Sequence, residues 1–205
     1  MKSQCTILEQ SNTQEKFCVD KPDTHVFFLI NYSGTLHVEI ASEAASVYIF
    51  GLYFGKGEEQ LKIKTIQDHK IGNSVSDLFI RGVFYDSSKF LFEGLINIAK
   101  NAQRSNAYQK NQNLLLSKDA FVDSRPFLEI QANDVRCTHG STTGRVDKEL
   151  LEYLASRGIS KQHGEQLIIN GFINDIFERI KVVAPDLHTS QLRKKVVQYH
   201  DVFDE

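Results

Sequence analysis

Three cysteines are too few to staple a chain of 205 residues, and Cys5, Cys18 and Cys137 are expected as reduced thiols rather than a disulfide framework. Long hydrophobic runs are also missing. The longest, Val47–Phe54, is broken by Gly51 and falls far short of the ~20 residues a membrane span needs. Met1–Asn12 has no apolar stretch behind positive charge, so no secretory signal is expected there. Neither sign of charge dominates: 24 Lys and Arg stand against 26 Asp and Glu, a formal net charge of −2. No basic footprint therefore points to nucleic acid. These absences exclude a membrane protein and a secreted disulfide scaffold. What remains, 41% hydrophobic and 24% charged, is the composition of a soluble globular chain of one domain, with at most a small appendage. A cytoplasmic location is the expectation.

The first two-thirds read as strand after short strand. Val26–Ile30 and Leu36–Ile40 flank the turn-rich Asn31-Tyr32-Ser33-Gly34. Val47–Phe54, Leu61–Ile66, Leu78–Tyr85, Phe90–Ile98, Leu114–Leu116 and Phe127–Ile130 follow. Gly55-Lys56-Gly57, Gly72-Asn73 and Asp86-Ser87-Ser88 punctuate them as turns. No helical period longer than two turns appears before residue 147, which predicts a β sandwich, a barrel or a parallel β-helix. No literal repeat selects among them. Fourteen Phe and seven Tyr are expected to stack in that core.

At Asp147 the texture changes. Asp147 can cap a helix carrying Leu150, Leu151 and Leu154 and ending at Arg157-Gly158. Ser160 can cap a second, with the stripe Ile168, Phe172, Ile176 and Ile180, widened by Ile169, Ile173 and Phe177 and stopped by Pro185. A third helix is expected from about Thr189 to His200, with Arg193-Lys194-Lys195 as a solvated face. The organisation is thus a β domain over 1–147, with residues 1–23 as an irregular leader, and a helical domain over 148–205.

One segment concentrates chemistry: Asn133-Asp-Val-Arg-Cys-Thr-His-Gly140. On a strand, Val135, Cys137 and His139 share one face. A thiol beside an imidazole suits a soft metal or an iron–sulfur unit, but a free Cys is as readily a small buried hydrophobe, and two ligands close no four-ligand site. Both readings stand on spacing alone. Elsewhere, Cys5 and Cys18 read as incidental, and His69 pairs with Asp68 or sits in a turn. Gly140-Ser-Thr-Thr-Gly144 lacks the Lys and spacing of a phosphate-binding loop. A carbohydrate-active enzyme on a β-helix would need paired same-face acids; Glu129 and Asp134 are nearest the motif, and no such pair is evident.

Asn113-Leu-Leu-Leu-Ser117, Pro126-Phe-Leu-Glu-Ile130, the run Asn133–Gly144 and Tyr153-Leu-Ala-Ser-Arg-Gly-Ile159 together resemble the SufB/SufD family, and Cys-Thr-His-Gly resembles its SufD members. Gly51-Leu-Tyr-Phe54, Asp68-His69, Arg81-Gly-Val-Phe84 and Gly171-Phe172 fit the same pattern. The resemblance implies a right-handed parallel β-helix followed by a helical domain, in a scaffold subunit of iron–sulfur cluster assembly that is not itself an enzyme. It implies pairing with a SufB-like subunit through the end of the β-helix, or a homodimer in isolation. It further implies docking of the SufC ATPase on the helical domain, for which Phe172, Ile176, Phe177 and Ile180 are the candidate residues. By the same resemblance His139, with Cys137 beside it, is a candidate ligand for a transient cluster at the subunit interface, in the cytoplasm or a plastid stroma. Family members are commonly longer, so this reads as a short form whose N-terminal region is missing or reduced to residues 1–46. A metal-free adaptor is the alternative within the same family.

Overall fold

The computed structural model describes residues 3–9 and 12–199. Its strands are β1 (Gln4–Glu9), β2 (Asn12–Val19), β3 (Thr24–Ile30), β4 (Ser33–Ile40), β5 (Ser46–Gly55), β6 (Gln60–His69), β7 (Val75–Phe84), β8 (Lys89–Ile98), β9 (Asn106–Leu115), β10 (Phe121–Ile130) and β11 (Arg136–Arg145). Odd-numbered strands form one sheet in the order β1-β3-β5-β7-β9-β11, and even-numbered strands a second, β10-β8-β6-β4-β2. Every ladder is parallel. The chain crosses from one sheet to the other at each corner, so each strand pair is one turn of a parallel β-solenoid. Val47, Ser76, Ala107 and Cys137 are stacked register partners, and the turns between them advance by 29, 31 and 30 residues.

Three successive turns bend through the same backbone device. Ala44, Asn73 and Arg104 occupy left-handed conformations at φ 56°, 55° and 59°. They lie on successive turns: Ala44 N–H donates to Asn73 O at 3.0 Å, and Asn73 N–H to Gln103 O at 2.9 Å. At another corner Asn31 holds the chain by its side chain, donating to Phe54 O at 2.9 Å and accepting from Phe54 N–H at 2.7 Å. Gly34 (φ 123°) is there because a Cβ would come 2.1 Å from Thr13 O.

Inside, Leu36, Val38, Ile49, Tyr53, Phe84 and Phe90 fill the lumen. The rings of Tyr53 and Phe84 lie 4.6 and 5.2 Å from that of Phe90. Three helices follow: α1 (Lys148–Ser156), α2 (Lys161–Val183) and α3 (Thr189–Val197). Asp147 caps α1 by accepting from Glu149 N–H at 2.9 Å, and Ser160 caps α2 by accepting from His163 N–H at 3.2 Å. Helices α2 and α3 lie on the outer face of the odd sheet. There Ile173, Ile176, Phe177 and Ile180, with Leu192 and Val196, share one core with Phe28, Phe50, Phe54 and Phe79.

Three expectations need correction. Of the irregular leader expected over 1–23, the described residues 4–9 and 12–19 are strands instead: β1 and β2 are register partners of β3 and β4 and add a turn to the solenoid. Their polar sequences, QCTILE and NTQEKFCV, hide them from any apolar pattern. The buried stripe of α2 runs through Ile169, Ile173, Ile176, Phe177 and Ile180, leaving Ile168 and Phe172 on its margin. Finally, Arg193-Lys194-Lys195 is not simply solvated: Arg193 lies 4.4 Å over the Phe177 ring and bonds Asn174, while Lys195 pairs with Glu9 of β1. The third helix is described to Val197, and His200 lies outside the described residues.

Candidate functional site at the open end of the solenoid

Strand β11 is the last of the odd sheet and β10 the last of the even sheet, so each pairs on one side only. Such edges expose a row of unpaired backbone N–H and C=O groups and are pairing surfaces unless covered. Large apolar side chains gather on β10 at this end: Phe121 is 52% exposed, Phe127 50% and Ile130 42%. Pro126 sits in the middle of β10, a position an edge strand tolerates.

His139 and Cys137 lie two apart on β11. Cys137 is half-buried and packs against the small cluster of Ile96, Ile98, Ala102 and Ala107, whereas His139 is exposed. Burial pushes the Cys137 thiol above its ordinary pKa. The thiol form is thereby favoured over the thiolate that binds metal. The two side chains share a strand face roughly 7 Å apart, and of the two His139 is the accessible donor. Thr142 and Thr143 are tied to the previous turn through Gln112 (3.3 Å) and Asn113 (3.4 Å).

The other sequence candidates fall elsewhere. His69 does not pair with Asp68, because neighbours on a strand face opposite ways. It points inward, fully buried between Ser74 Oγ and Ser76 Oγ at 2.8 Å each. Desolvation lowers its pKa to about 4, against a small opposing pull from Asp68. Asp68 points outward and takes Lys70 at 2.9 Å, His37 at 3.0 Å and Asn97 at 2.9 Å. Its burial would raise the carboxyl, but the bonds from Lys70 and His37 outweigh that and hold it below the usual range. Among the described residues, His37, Glu39 and Asp68 are the group with metal-like spacing, but Lys16 already holds Glu39 at 3.0 Å, so this is an ion-pair network in place. Cys5 and Cys18 are exposed on β1 and β2. Glu129 lies on β10 and Asp134 in the corner before β11, with no shared strand face.

Ile176, Phe177 and Ile180 are fully buried against the odd sheet, and Phe172 is half-buried. As placed, the three buried residues offer no surface to a partner. Their seat is locked by Arg81 of β7, a residue that only the family pattern brought out. Its guanidinium lies 2.7 Å from Asp175, donates to Phe172 O at 2.5 Å and stacks 4.2 Å from the Phe172 ring. By contrast α1 buries no residue and leaves Leu150 and Tyr153 exposed, with Leu167 of α2 also exposed. A cleft of about 610 Å³ opens between this hairpin and the ends of β9 and β11, lined in part by Leu116, Arg145, Lys148 and Lys161.

The family model described as SUF system FeS cluster assembly, SufBD core domain, matches residues 31–172, from the corner before β4 into α2. The chain belongs to the SufB/SufD family. It is 36% identical over 143 residues to the iron–sulfur cluster assembly protein SufD of Escherichia coli, covering 70% of this chain and 34% of that protein. Against SufD of Bacillus subtilis the identity is 35% over 128 residues, covering 62% and 29%. Against the chloroplastic protein ABCI7 of Arabidopsis thaliana it is 33% over 119 residues, covering 58% and 25%. The chain thus matches about a quarter to a third of the length of these relatives. No helix among the described residues is long and apolar enough to cross a membrane.

Proposed function

We propose that the chain is a SufD-type scaffold subunit, not an enzyme, whose open solenoid end meets a SufB-like partner around a nascent iron–sulfur cluster. The observation that carries this reading is the free edge of β11, where His139 is exposed at the same open end of the solenoid as the exposed Phe121, Phe127 and Ile130 of β10. The cluster is cargo here: the imidazole of His139 offers one ligand and the partner's thiolates complete the set. Without that partner the same edge pairs with a second copy. A SufC-type ATPase docks on the α1–α2 hairpin through Leu150, Tyr153 and Leu167, since the α2 stripe faces the solenoid. The proposed setting is the cytoplasm or a plastid stroma, in keeping with one relative from a bacterium and another whose name is chloroplastic.

The metal-free adaptor stands as a second reading, favoured by the packing of Cys137 as a small hydrophobe against Ile96, Ile98 and Ala107. Anaerobic reconstitution with ferrous iron, sulfide and the SufB-like partner separates the two. In the scaffold reading His139→Ala lowers cluster yield several-fold with an unchanged melting temperature, and Cys137→Ala has the smaller effect. Normal cluster yield from His139→Ala would leave the adaptor.

A further inference from the structure

The lumen changes character along its axis. On the lumen face of the odd sheet β7 presents Leu78 and Ile80, both fully buried. One turn on, their register partners are Gln109 and Asn111, followed by Asn113, all at 3% exposure or less. The oxygens of all three amides, Gln109 Oε1, Asn111 Oδ1 and Asn113 Oδ1, have no donor. A buried acceptor left without a donor costs about 1–3 kcal/mol. A sequence that replaces Leu and Ile by such groups is serving something other than stability.

Gln109 is the most committed of them. Its Nε2 donates to Gly94 O at 3.1 Å, which fixes the amide plane. Gly94 makes the room, because a Cβ there would lie 2.4 Å from Gln109 Oε1. The register partner of Gln109 on the last strand is His139. Both side chains lie on the lumen face. Cys137 packs in one cluster with its partner Ala107, and Asn113 reaches Thr143, so the inward row of β11 is bracketed on either side of His139. Lateral neighbours on one face of a parallel pair stand about 4.8 Å apart, within reach of a Gln side chain.

We propose that Gln109 is a positioning residue for His139: its buried Oε1 accepts the imidazole Nδ1–H, leaving Nε2 unprotonated and directed out of the open end. A ligating imidazole commonly donates its second ring N–H to an oxygen, which sets both tautomer and orientation. The free imidazole otherwise favours the Nε2–H form, whose outer nitrogen cannot bind iron until it loses the proton. The role of Gln109 rests on His139 being the ligand proposed above.

The test reads tautomer and cluster separately. Long-range 1H–15N spectra of the full chain should show His139 as Nδ1–H in the wild type. They should show Nε2–H in Gln109→Leu, which copies Leu78 one turn earlier, and Nδ1–H again in Gln109→Glu, which keeps an acceptor. Gln109→Leu should raise the melting temperature, since an undonated oxygen leaves the core, yet lower cluster yield with the SufB-like partner several-fold. A structural role alone would move stability and not the tautomer. An Nε2–H form in the wild type overturns the proposal whether or not the variants fold. So does a Gln109→Leu variant with wild-type tautomer and yield. If the tautomer follows Gln109 while His139→Ala still assembles clusters, the contact stands and the cluster reading falls.

Discussion

The two sheets of the solenoid share a lumen but not a surface. Strands β3, β5 and β7 of the odd sheet are buried on both faces, because α2 and α3 cover the outside with Ile173, Ile176, Phe177 and Val196. Strands β4, β6 and β8 of the even sheet alternate, with residues such as Leu61, Ile63 and Phe92 inward and Lys62, Lys64 and Glu93 toward solvent. The difference shows in composition. A strand buried twice reads as a continuous apolar run, and a strand buried once reads as alternation. It also decides what is covered: the helices close one face with their own core, while the two solenoid ends, the outer face of the even sheet and the exposed side of the α1–α2 hairpin stay open.

The covered face should be the harder to damage without cost. Phe177 is fully buried, 6.0 Å from the Phe28 ring and beneath the Arg193 guanidinium. Phe177→Ala removes a ring from a filled interface and should lower stability by about 3–5 kcal/mol. Chemical denaturation of the variant checks this. A loss under about 1 kcal/mol would show that α2 lifts from the odd sheet in solution. The stripe would then be free for an ATPase, and the two sheets would not differ as described.

That contrast also explains what sequence reading could reach. Val26–Ile30, Val47–Phe54 and Leu78–Tyr85 were legible because they are buried twice, and Leu61–Ile66 because it alternates. Strand β9 is legible only at Leu114–Leu116, since its inward row is Gln109, Asn111 and Asn113, which reads as loop. In β10, Asp123-Ser-Arg-Pro126 breaks any apolar pattern, and edge strands carry little burial to write one. Asp147, Ser160 and Gly158 marked the helix ends through local capping, which needs no tertiary partner. The repeat of 29 to 31 residues is structural only: register holds it, while the side chains at equivalent positions, such as Val47, Ser76, Ala107 and Cys137, keep no identity. Of the site, the Cys137–His139 segment was legible by spacing and resemblance, but the amide row beneath it was not. No short motif announces a polar residue that points into a lumen.

A second difference between regions is electrostatic. The lumen side of β6 buries His69 neutral, while on its outer side Asp68 is ionised and paired. A His with a folded pKa near 4 binds its proton in the unfolded chain first, below the ordinary value of about 6.5. Stability is therefore complete above that value and falls as pH drops toward 4, by about 2 kcal/mol at pH 5. Asp68 acts in the same direction but in a lower window, because its carboxylate is held below the usual range. Denaturant midpoints from pH 7 to 4.5 should follow a one-proton slope in the wild type and flatten in His69→Gln, which can still bond Ser74 and Ser76. An unchanged slope would mean that the lumen at this turn is hydrated enough to accept the charge.

The smallest effect is expected on the bare face. Lys64 and Glu93 are outward neighbours on β6 and β8, 3.8 Å apart with side chains 47% and 36% exposed. An exposed pair at that distance gains little from Coulomb attraction in water and loses side-chain freedom, so Lys64→Gln should cost about 0.5 kcal/mol or less. In a chain of this size that moves the melting temperature by only about 1–2 °C. The effect should vanish by 0.5 M salt, where screening acts over less than about 5 Å. The double variant with Glu93→Gln should then be additive within about 0.5 kcal/mol. A coupling above about 1 kcal/mol that survives salt requires the pair to be desolvated. Nothing among the described residues covers it, so such a result would place a second molecule on the even sheet. The comparison between covered and bare faces would then describe the isolated subunit but not its assembly.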